Sequence, residues 1–303
     1  MKRILITGIN SYIGNGTDKY LQEYNALQGK EMYQIHKISQ RDSSWENHDF
    51  SAYDTVLNVT GKAHADIGKL SLKEQQEYYE INCELAVKTA VKAKEAGVGQ
   101  YIYMSSIIVY GDSGMVGKQK LITQDSLPAP ANFYGDSKWR AEQRLQTLAD
   151  ENFRVAIVRP PFIYGSGCKG NYQTLAKIAE RFPIFPTIRN TRSMLYIENL
   201  SEFIRLLIET GDGGIWFPQN AEYGNTSEMV LAIASAKGRK MIPMGILNPM
   251  VWILARFPGK IGRLTNKAFG DLAYDQSLSN KIPGYCKYPF EETIERTERK
   301  DFL

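Results

Sequence analysis

Tyr134 and Lys138 are the two residues of this chain whose types and spacing most clearly suggest chemistry. If the segment from Tyr134 to Lys138 is helical, residues four apart project from the same face, and the phenol lies beside the ammonium. A free tyrosine titrates near ~10. One positive charge at ~4 Å and an effective dielectric of ~20 is worth at most roughly 4 kcal/mol, or about three pKa units. The pair therefore predicts a tyrosine that acts as a general base near neutral pH.

A glycine-bearing turn near the N-terminus is a second candidate site. The segment from Thr7 to Gly14 follows a predicted strand and opens a predicted helix, which is the context of a dinucleotide-binding fingerprint. Gly8 would make the tight turn, Gly14 would let the helix pack close to the sheet, and the helix N-terminus would face a pyrophosphate. Ser11 stands where a third glycine is common, and its hydroxyl is expected to point at phosphate. A plain turn with glycines for steric reasons would leave the same pattern.

The elements that must position these residues alternate along the first half of the chain. Near-continuous apolar strands separated by helices are typical of a parallel sheet covered on both faces. The polar stretch 41–48 indicates that one strand–helix unit is truncated there, and after Arg159 the alternation weakens. The predicted strands are 3–7, 32–39, 55–59, 101–105, 155–159 and 213–217, and the predicted helices are 13–27, 72–96, 172–180, 199–209 and the one bearing Tyr134.

Composition excludes several classes of protein. The 303 residues are 43% hydrophobic and 23% charged, with a net charge of +4 that forms no basic run, so no nucleic acid partner is expected. Three scattered cysteines and three scattered histidines give no metal spacing, and the N-terminus lacks the long apolar stretch of a signal peptide. The apolar segment 241–257 is interrupted by Pro243 and Pro249 and is too short to span a bilayer. We interpret it as core or a subunit contact of a cytoplasmic protein without membrane insertion.

Further segments carry a resemblance to a known family. The runs Ser105-Ser-Ile-Ile-Val-Tyr-Gly111 and Arg159-Pro-Pro-Phe-Ile-Tyr-Gly165, with the Tyr134/Lys138 pair and the glycine turn, resemble the extended short-chain dehydrogenase/reductases that act on nucleotide sugars. The resemblance runs nearly end to end. It implies an α/β fold, with a Rossmann-type doubly wound parallel sheet in residues 1–165, later strands returning from the C-terminal half, and a smaller, mostly substrate-binding portion in 166–303.

The resemblance also implies roles for individual residues. Tyr134 would exchange a proton with a sugar hydroxyl or ketone, Lys138 would hold the nicotinamide ribose and lower the Tyr134 pKa, and Ser106 would hydrogen-bond the reacting oxygen. Thr60 departs from the alanine usual at its position. The implied cofactor contacts are Gly8, Ser11, Tyr12, Ile13, Gly14, Arg41, Thr60, Gly61, Asn82, Tyr134, Lys138 and Pro161. The implied contacts to a nucleotide-diphosphate sugar are His64, Ser106, Asn171 and Arg192, the last two near the diphosphate.

Two reactions stay open at this stage. Ile107 and Ile108 replace the Asp-Glu pair that dehydratases of the family carry after the catalytic serine, so a 4,6-dehydratase is disfavoured. A nucleotide-sugar epimerase and a 4-ketoreductase, both acting at C4 in bacterial surface-polysaccharide synthesis, use the same three residues. A homodimer packed through residues 72–96 and 134–148 is the family expectation. A dinucleotide-binding sensor or scaffold without turnover is the alternative from another class.

The end of the second predicted strand bears on the choice of NAD or NADP. An acidic residue there would accept the ribose 2′-hydroxyl of NAD. Ser39 stands near that position and Arg41 follows, which favours the 2′-phosphate of NADP and hence a reductase. Asp42 would serve NAD if the strand were longer.

Overall fold

The computed structural model describes residues 1–63 and 70–299. These residues form two compact units that interleave along the chain. The first unit comprises residues 1–111, 127–160 and 200–218, and the second comprises 112–126, 161–199 and the residues from 219 onward. Residues 112–126, within the predicted span 1–165, belong to the second unit, and residues 200–218 in the first unit carry one of the later strands expected to return.

The first unit is built on a six-stranded sheet in which every pairing is parallel. The strand order across the sheet is β10-β6-β4-β3-β1-β2, so the chain starts inside the sheet at β1 and adds strands on both sides of it. The sheet is therefore doubly wound, as predicted. Its strands are β1 (Lys2–Thr7), β2 (Tyr33–Ile38), β3 (Thr55–Asn58), β4 (Gln100–Met104), β6 (Arg154–Val158) and β10 (Gly214–Trp216). Its helices are α1 (Tyr12–Gln28), α2 (Leu72–Tyr79), α3 (Leu85–Glu95), α4 (Phe133–Gln146) and most of α6 (Ile197–Thr210).

The central strands are buried along their length because helices cover the sheet. Every residue of β3 and β4 is buried, which accounts for their apolar sequences. One hydrophobic cluster joins these strands to α3 and α4, with Val56, Tyr101, Ala90 and Leu145 all fully buried. This core holds the carboxyl ends of β1, β3 and β4 in place, and the predicted site residues follow those ends.

Two local features differ from, or refine, the sequence analysis. The long helix predicted over 72–96 is divided by a π-helical turn, Glu80–Glu84, which separates α2 from α3. A short 3₁₀ helix, Ser43–Asn47, stands where a full helix is usual, as the polar stretch 41–48 indicated. A π turn inserts one residue into the helical ladder and re-aims the side chains around it, and such turns are frequent at functional sites.

The second unit consists of short paired strands and five helices in the described residues. The strands form three parallel pairs: β5 (Leu121–Ile122) with β12 (Ala273–Tyr274), β7 (Phe162–Tyr164) with β9 (Met194–Tyr196), and β8 (Ile184–Phe185) with β11 (Ile242–Pro243). The helices are α5 (Asn171–Arg181), α7 (Thr226–Ala236), α8 (Asn248–Arg256), α9 (Lys260–Phe269) and α10 (Phe290–Glu298).

The apolar segment 241–257 forms β11, a 3₁₀ turn and α8, and its interpretation as core is wrong for most of its large side chains. Met250, Trp252, Ile253 and Phe257 are exposed, by 52%, 42%, 59% and 50% respectively. Only Val251 and Ala255 of α8 are buried. No helix in 1–63 or 70–299 has the length and apolar character needed to cross a bilayer.

Candidate active site

The turn between β1 and α1 has the close packing that its glycines predicted. Gly8 has φ +89°, and a Cβ built on it would lie 3.1 Å from the Thr60 hydroxyl and 3.2 Å from the Thr60 nitrogen. A Cβ on Gly14 would lie 3.0 Å from a Val59 methyl group, so α1 approaches β3 too closely for a side chain. Ser11 caps α1, and its hydroxyl accepts a hydrogen bond from the Gly14 N–H at 3.3 Å. The serine thus completes the helix start.

The end of β2 lies against the same turn. The strand ends at Ile38, whose carbonyl accepts the Gly8 N–H at 3.0 Å. Ser39 follows directly and accepts the Arg41 N–H at 3.3 Å, while Arg41 itself is exposed. Asp42 lies beyond this turn and caps the short 3₁₀ helix by accepting the Ser44 N–H. The strand is no longer than predicted, so the aspartate does not occupy its end.

Thr60, which departs from the usual alanine, joins three parts of this region. Its hydroxyl donates to Gln40 Oε1 at 2.7 Å and lies 3.2 Å from the Thr7 hydroxyl. The Gln40 amide in turn donates to the Thr89 hydroxyl on α3 at 2.7 Å. Sequence reasoning missed Gln40, since a glutamine after a strand has no distinctive spacing.

Gly61, Asn82 and Lys138, each predicted to contact the cofactor, lie close together in the structure. A Cβ on Gly61 would lie 3.2 Å from both Asn82 Oδ1 and Lys138 Nζ. Asn82, in the π turn, accepts the Lys62 N–H at 2.8 Å and donates to the Lys62 carbonyl and to the Ser137 hydroxyl. The asparagine therefore ties the segment after β3 to α4, and the glycine leaves the lysine ammonium accessible beside it.

Tyr134 lies in the first turn of α4 next to Ser106. A hydrogen bond with the Ser106 side chain lowers the Tyr134 pKa, but burial raises it more, to about 12. The Tyr134 ring packs edge-on against Tyr78, with ring centroids 6.0 Å apart. The sequence-based expectation that Lys138 sets the tyrosine pKa is therefore wrong in direction, because burial of the phenol outweighs the other influences.

Lys138 is buried one helical turn beyond Tyr134. Its ammonium donates to the Met104 carbonyl at 2.8 Å and lies 4.7 Å from the centroid of the Tyr103 ring. Burial lowers the lysine pKa to about 7, and the negative charge of Glu142 opposes that shift. A buried ammonium held beside Gly61 is a donor suited to a polar ligand group.

A buried ion pair near Lys138 was missed by sequence reasoning. Glu142 accepts hydrogen bonds from Arg159 Nε at 3.1 Å and from the Ser105 hydroxyl. Arg159 also donates to the Tyr110 hydroxyl, and the side chains of Glu142 and Arg159 are 0% and 3% exposed. The signal was present in the sequence, since Tyr134, Lys138 and Glu142 are spaced by four on one face of α4. The pair fixes α4 against β4 and β6.

Two predicted substrate contacts lie in the second unit and interact with different elements. Asn171 is exposed at the start of α5, after Gly170 with φ +89°. The Arg192 guanidinium donates to the Lys267 and Gly270 carbonyls at 2.8 and 3.1 Å, at the C-terminal end of α9. Burial lowers the Arg192 pKa to about 10, and the nearby Asp271 raises it. Within the described residues Arg192 forms no ion pair, so its charge is unneutralised by any direct contact.

The other predicted residues are placed without a specific contact to report. Tyr12 and Ile13 are half-buried in the first turn of α1, and Pro161 is buried directly before β7. His64, predicted to contact substrate, lies outside the described residues.

Comparisons with known proteins add a family and relatives of known activity. Residues 4–216, well over half of the chain, match the model of the NAD dependent epimerase/dehydratase family. The chain is 28% identical over 308 aligned residues to UDP-glucose 4-epimerase of Vibrio cholerae, covering 94% of this chain and 90% of that protein. It is 25% identical to N-acetyl-alpha-D-glucosaminyl-diphospho-ditrans,octacis-undecaprenol 4-epimerase of Escherichia coli O157:H7, covering 99% and 92% of the two chains.

The same fold occurs in solved structures. The crystal structure of dTDP-4-dehydrorhamnose reductase from Bacillus anthracis, in complex with NADP, is similar with a TM-score of 0.67. The alignment covers 98% of each chain at 19% identity.

Proposed function

The chain belongs to the NAD dependent epimerase/dehydratase family, and from that premise we propose that it oxidises or reduces C4 of a nucleoside-diphosphate sugar with a nicotinamide dinucleotide cofactor. The observation that carries the proposal is the placement of Tyr134 and the buried Lys138 one turn apart on α4, with the Ser106 side chain near enough to the phenol to lower its pKa. A phenol, a hydroxyl and an ammonium in this order can hold a reacting oxygen and exchange its proton.

The residues around the glycine turn fit a dinucleotide. Gly8 and Gly14 remove the Cβ atoms that would collide with Thr60 and Val59, and α1 directs its first N–H groups outward from this turn. We assign the pyrophosphate to these N–H groups and the nicotinamide ribose to Lys138, beside Gly61. When bound, the cofactor supplies the acceptor and donor of hydride.

In the proposed mechanism each residue of the trio has one task. Ser106 hydrogen-bonds the C4 oxygen of the sugar and orients it toward the phenol. In the oxidation direction Tyr134 accepts the proton of the C4 hydroxyl, and in the reduction direction it returns a proton to the ketone oxygen. When one bound ligand contacts both the Lys138 ammonium and the Tyr134 phenol, the positive charge of Lys138 favours the phenolate. This effect lowers the Tyr134 pKa and opposes the effect of burial.

Arg192 and Asn171 are proposed to contact the diphosphate of the substrate. Arg192 is a half-buried cation whose described partners are backbone carbonyls, reached through a single guanidinium nitrogen. Its remaining N–H groups suit the paired oxygens of a phosphate. The two curated relatives described above carry names that share a sugar diphosphate, on a nucleoside in one and on a polyprenol in the other. A role in making bacterial surface polysaccharide follows as part of the proposal.

The test of the chemistry is the substitution Tyr134→Phe, which removes the proton-exchanging hydroxyl and keeps the ring. We expect turnover of the cognate sugar nucleotide to fall about 10²–10⁴-fold, with dinucleotide affinity unchanged. Tyr79→Phe on the adjacent helix α2 is the matched control and should retain activity. If Tyr134→Phe leaves product formation intact, the role assigned to Tyr134 is wrong. A wild-type protein that binds the dinucleotide but turns over no sugar nucleotide would instead be a sensor or scaffold.

The cofactor we propose is NADP, since β2 ends at Ile38 with Ser39 and the exposed Arg41 after it. A serine and an arginine suit a 2′-phosphate better than a 2′-hydroxyl. We expect NADPH to bind more tightly than NADH and Arg41→Ala to remove the difference. Protein that retains NAD through purification would instead favour an epimerase, which recycles its own hydride. An empty protein that binds added NADPH would favour a 4-ketoreductase.

A further inference from the structure

Helices α8 and α9 present a contiguous group of exposed apolar side chains on the second unit. Ile246, Met250, Ile253 and Phe257 are spaced by four, three and four residues and are 79%, 52%, 59% and 50% exposed. This spacing places them along one side of α8 and the turn before it. Ile261 and Leu264 of α9 are 52% and 53% exposed. We call these six side chains the apolar face.

The apolar face is rigidly held rather than part of a loose loop. On the opposite side of α8, Val251 and Ala255 are buried against Val116 and Ile188. The Asn266 side chain of α9 accepts the Val116 N–H and donates to the Ala255 carbonyl, both at 2.9 Å. The inward sides of both helices are thus already used for packing, and the outward apolar residues are half or more exposed.

Basic residues border the apolar face, and acidic residues are missing from this part of the sequence. Residues 229–270 contain seven lysines and arginines and no aspartate or glutamate, although the whole chain has 33 acidic residues. On α9 the exposed Lys260, Arg263 and Lys267 form a row beside Ile261 and Leu264. The Arg256 guanidinium lies over the Trp252 ring at 5.6 Å from its centroid.

This combination indicates a specific kind of partner. Apolar side chains and a tryptophan beside a basic row, on short helices, are typical of a surface that lies in the plane of an anionic bilayer. A second protein surface would need its own carboxylates to match the basic row, whereas an anionic lipid surface supplies negative charge everywhere. We propose that the apolar face and its basic border dock the protein on a bilayer that contains anionic phospholipid. This inference is independent of the proposed chemistry, because docking requires no substrate.

Vesicle flotation of the full-length protein tests the proposal. We expect the wild type to float with vesicles of phosphatidylcholine and phosphatidylglycerol at low salt, and to float much less with phosphatidylcholine alone or at high salt.

Two paired substitutions separate the apolar and charged contributions. Ile253→Ser with Phe257→Ser should weaken vesicle binding at least about tenfold, since each serine removes apolar area from the bilayer contact. Arg263→Gln with Lys267→Gln should weaken it about 30-fold at low salt, from about 1 kcal/mol per charge. The matched control is Leu27→Ser with Leu127→Ser, two residues 83% exposed in the first unit, which should leave binding unchanged.

Three outcomes would overturn the inference. The first is a wild-type protein that does not float with anionic vesicles. The second is flotation that neither paired substitution affects while circular dichroism shows the variants folded. The third is a wild-type dimer, by sedimentation, that Ile253→Ser with Phe257→Ser converts to a monomer while no vesicles are bound. That last result would assign the apolar face to a second copy of the chain.

Discussion

Lys138 is a buried cation, and burial makes its charge costly. Its pKa of about 7 lies below the ~10.4 of an exposed lysine, so between these values the unfolded chain binds more protons than the folded one. The free energy of unfolding therefore rises with pH across this window. We expect Lys138→Met, which buries no charge, to be more stable than the wild type below pH 7 and to lose that advantage as the pH approaches ~10. Urea unfolding across this pH range measures the difference.

The control for this prediction is Lys30→Met, because Lys30 is exposed. Its stability relative to the wild type should show no comparable slope between the two pKa values. The other titrating groups are common to the proteins compared, so their contributions cancel in the difference between the unfolding free energies. A Lys138→Met advantage that stays constant with pH would mean that the lysine is not desolvated as the structure indicates.

At the scale of an element, the approach of α1 to β3 depends on the absence of a side chain at Gly14. An added Cβ would meet Val59 and Ile6 methyl groups at 3.0 and 3.1 Å. We expect Gly14→Val to push α1 away from the sheet and to weaken dinucleotide binding at least about tenfold, because the N–H groups of the helix start would shift. Isothermal titration with NADPH and NADH measures this.

Gly99→Ala is the matched control for the glycine turn. Gly99 also lies in the first unit, but a Cβ there would meet only the Asp54 carbonyl, at an ordinary 3.8 Å. This variant should bind the dinucleotide like the wild type. Equal affinity of Gly14→Val and the wild type would remove the assignment of the pyrophosphate to this turn.

The sequence predicted an element well where residues close together along the chain determine it, and poorly where contacts with distant residues determine it. The strands β3 and β4 are buried throughout and β1 is buried from Ile4 to Thr7, so their apolar runs were predictive to within a residue. The π turn at Asn82 was not predictable, because the contacts that accompany it, to Lys62 and Ser137, come from distant segments. The burial of helix α8 was wrongly predicted for a different reason. A helix that is apolar all round predicts burial, and here half of that surface is exposed.

The same distinction between local and distant residues applies to the predictions for the candidate site. Tyr134, Lys138, Gly61 and Asn82 were identified from motifs, and the structure brings Gly61, Asn82 and Lys138 together. The pKa of Tyr134 was not predictable, because it depends on how deeply the fold buries the phenol. Spacing gives the neighbours of a side chain on its own helix, whereas desolvation is set by the other elements that cover it.

At the scale of the whole molecule, the two units share one chain that passes between them repeatedly. Residues 112–126 leave the first unit, pair β5 with β12, and place Val116 in the core beneath α8. Residues 200–218 return to the first unit and supply α6 and the edge strand β10. The sequence predicted that later strands return to the first unit, but no local pattern indicated that 112–126 leaves it, because the partners of that segment are far away in sequence.

The return segment 200–218 gives a prediction about which part of the chain can fold. Leu200, Phe203, Ile204, Leu207 and Ile208 of α6 are each at most 2% exposed. At roughly 2 kcal/mol per buried side chain their loss removes about 10 kcal/mol, comparable to the whole stability of a typical domain. We therefore expect a fragment of residues 1–165 to lack cooperative unfolding and dinucleotide binding, despite containing the glycine turn and the catalytic trio.

Residues 1–218, which include the complete first unit, are the matched comparison and should recover both properties. Circular dichroism during urea unfolding and titration with NADPH distinguish the two fragments. A 1–165 fragment that folds and binds the dinucleotide as well as the full chain would show that the first unit does not depend on the return segment 200–218.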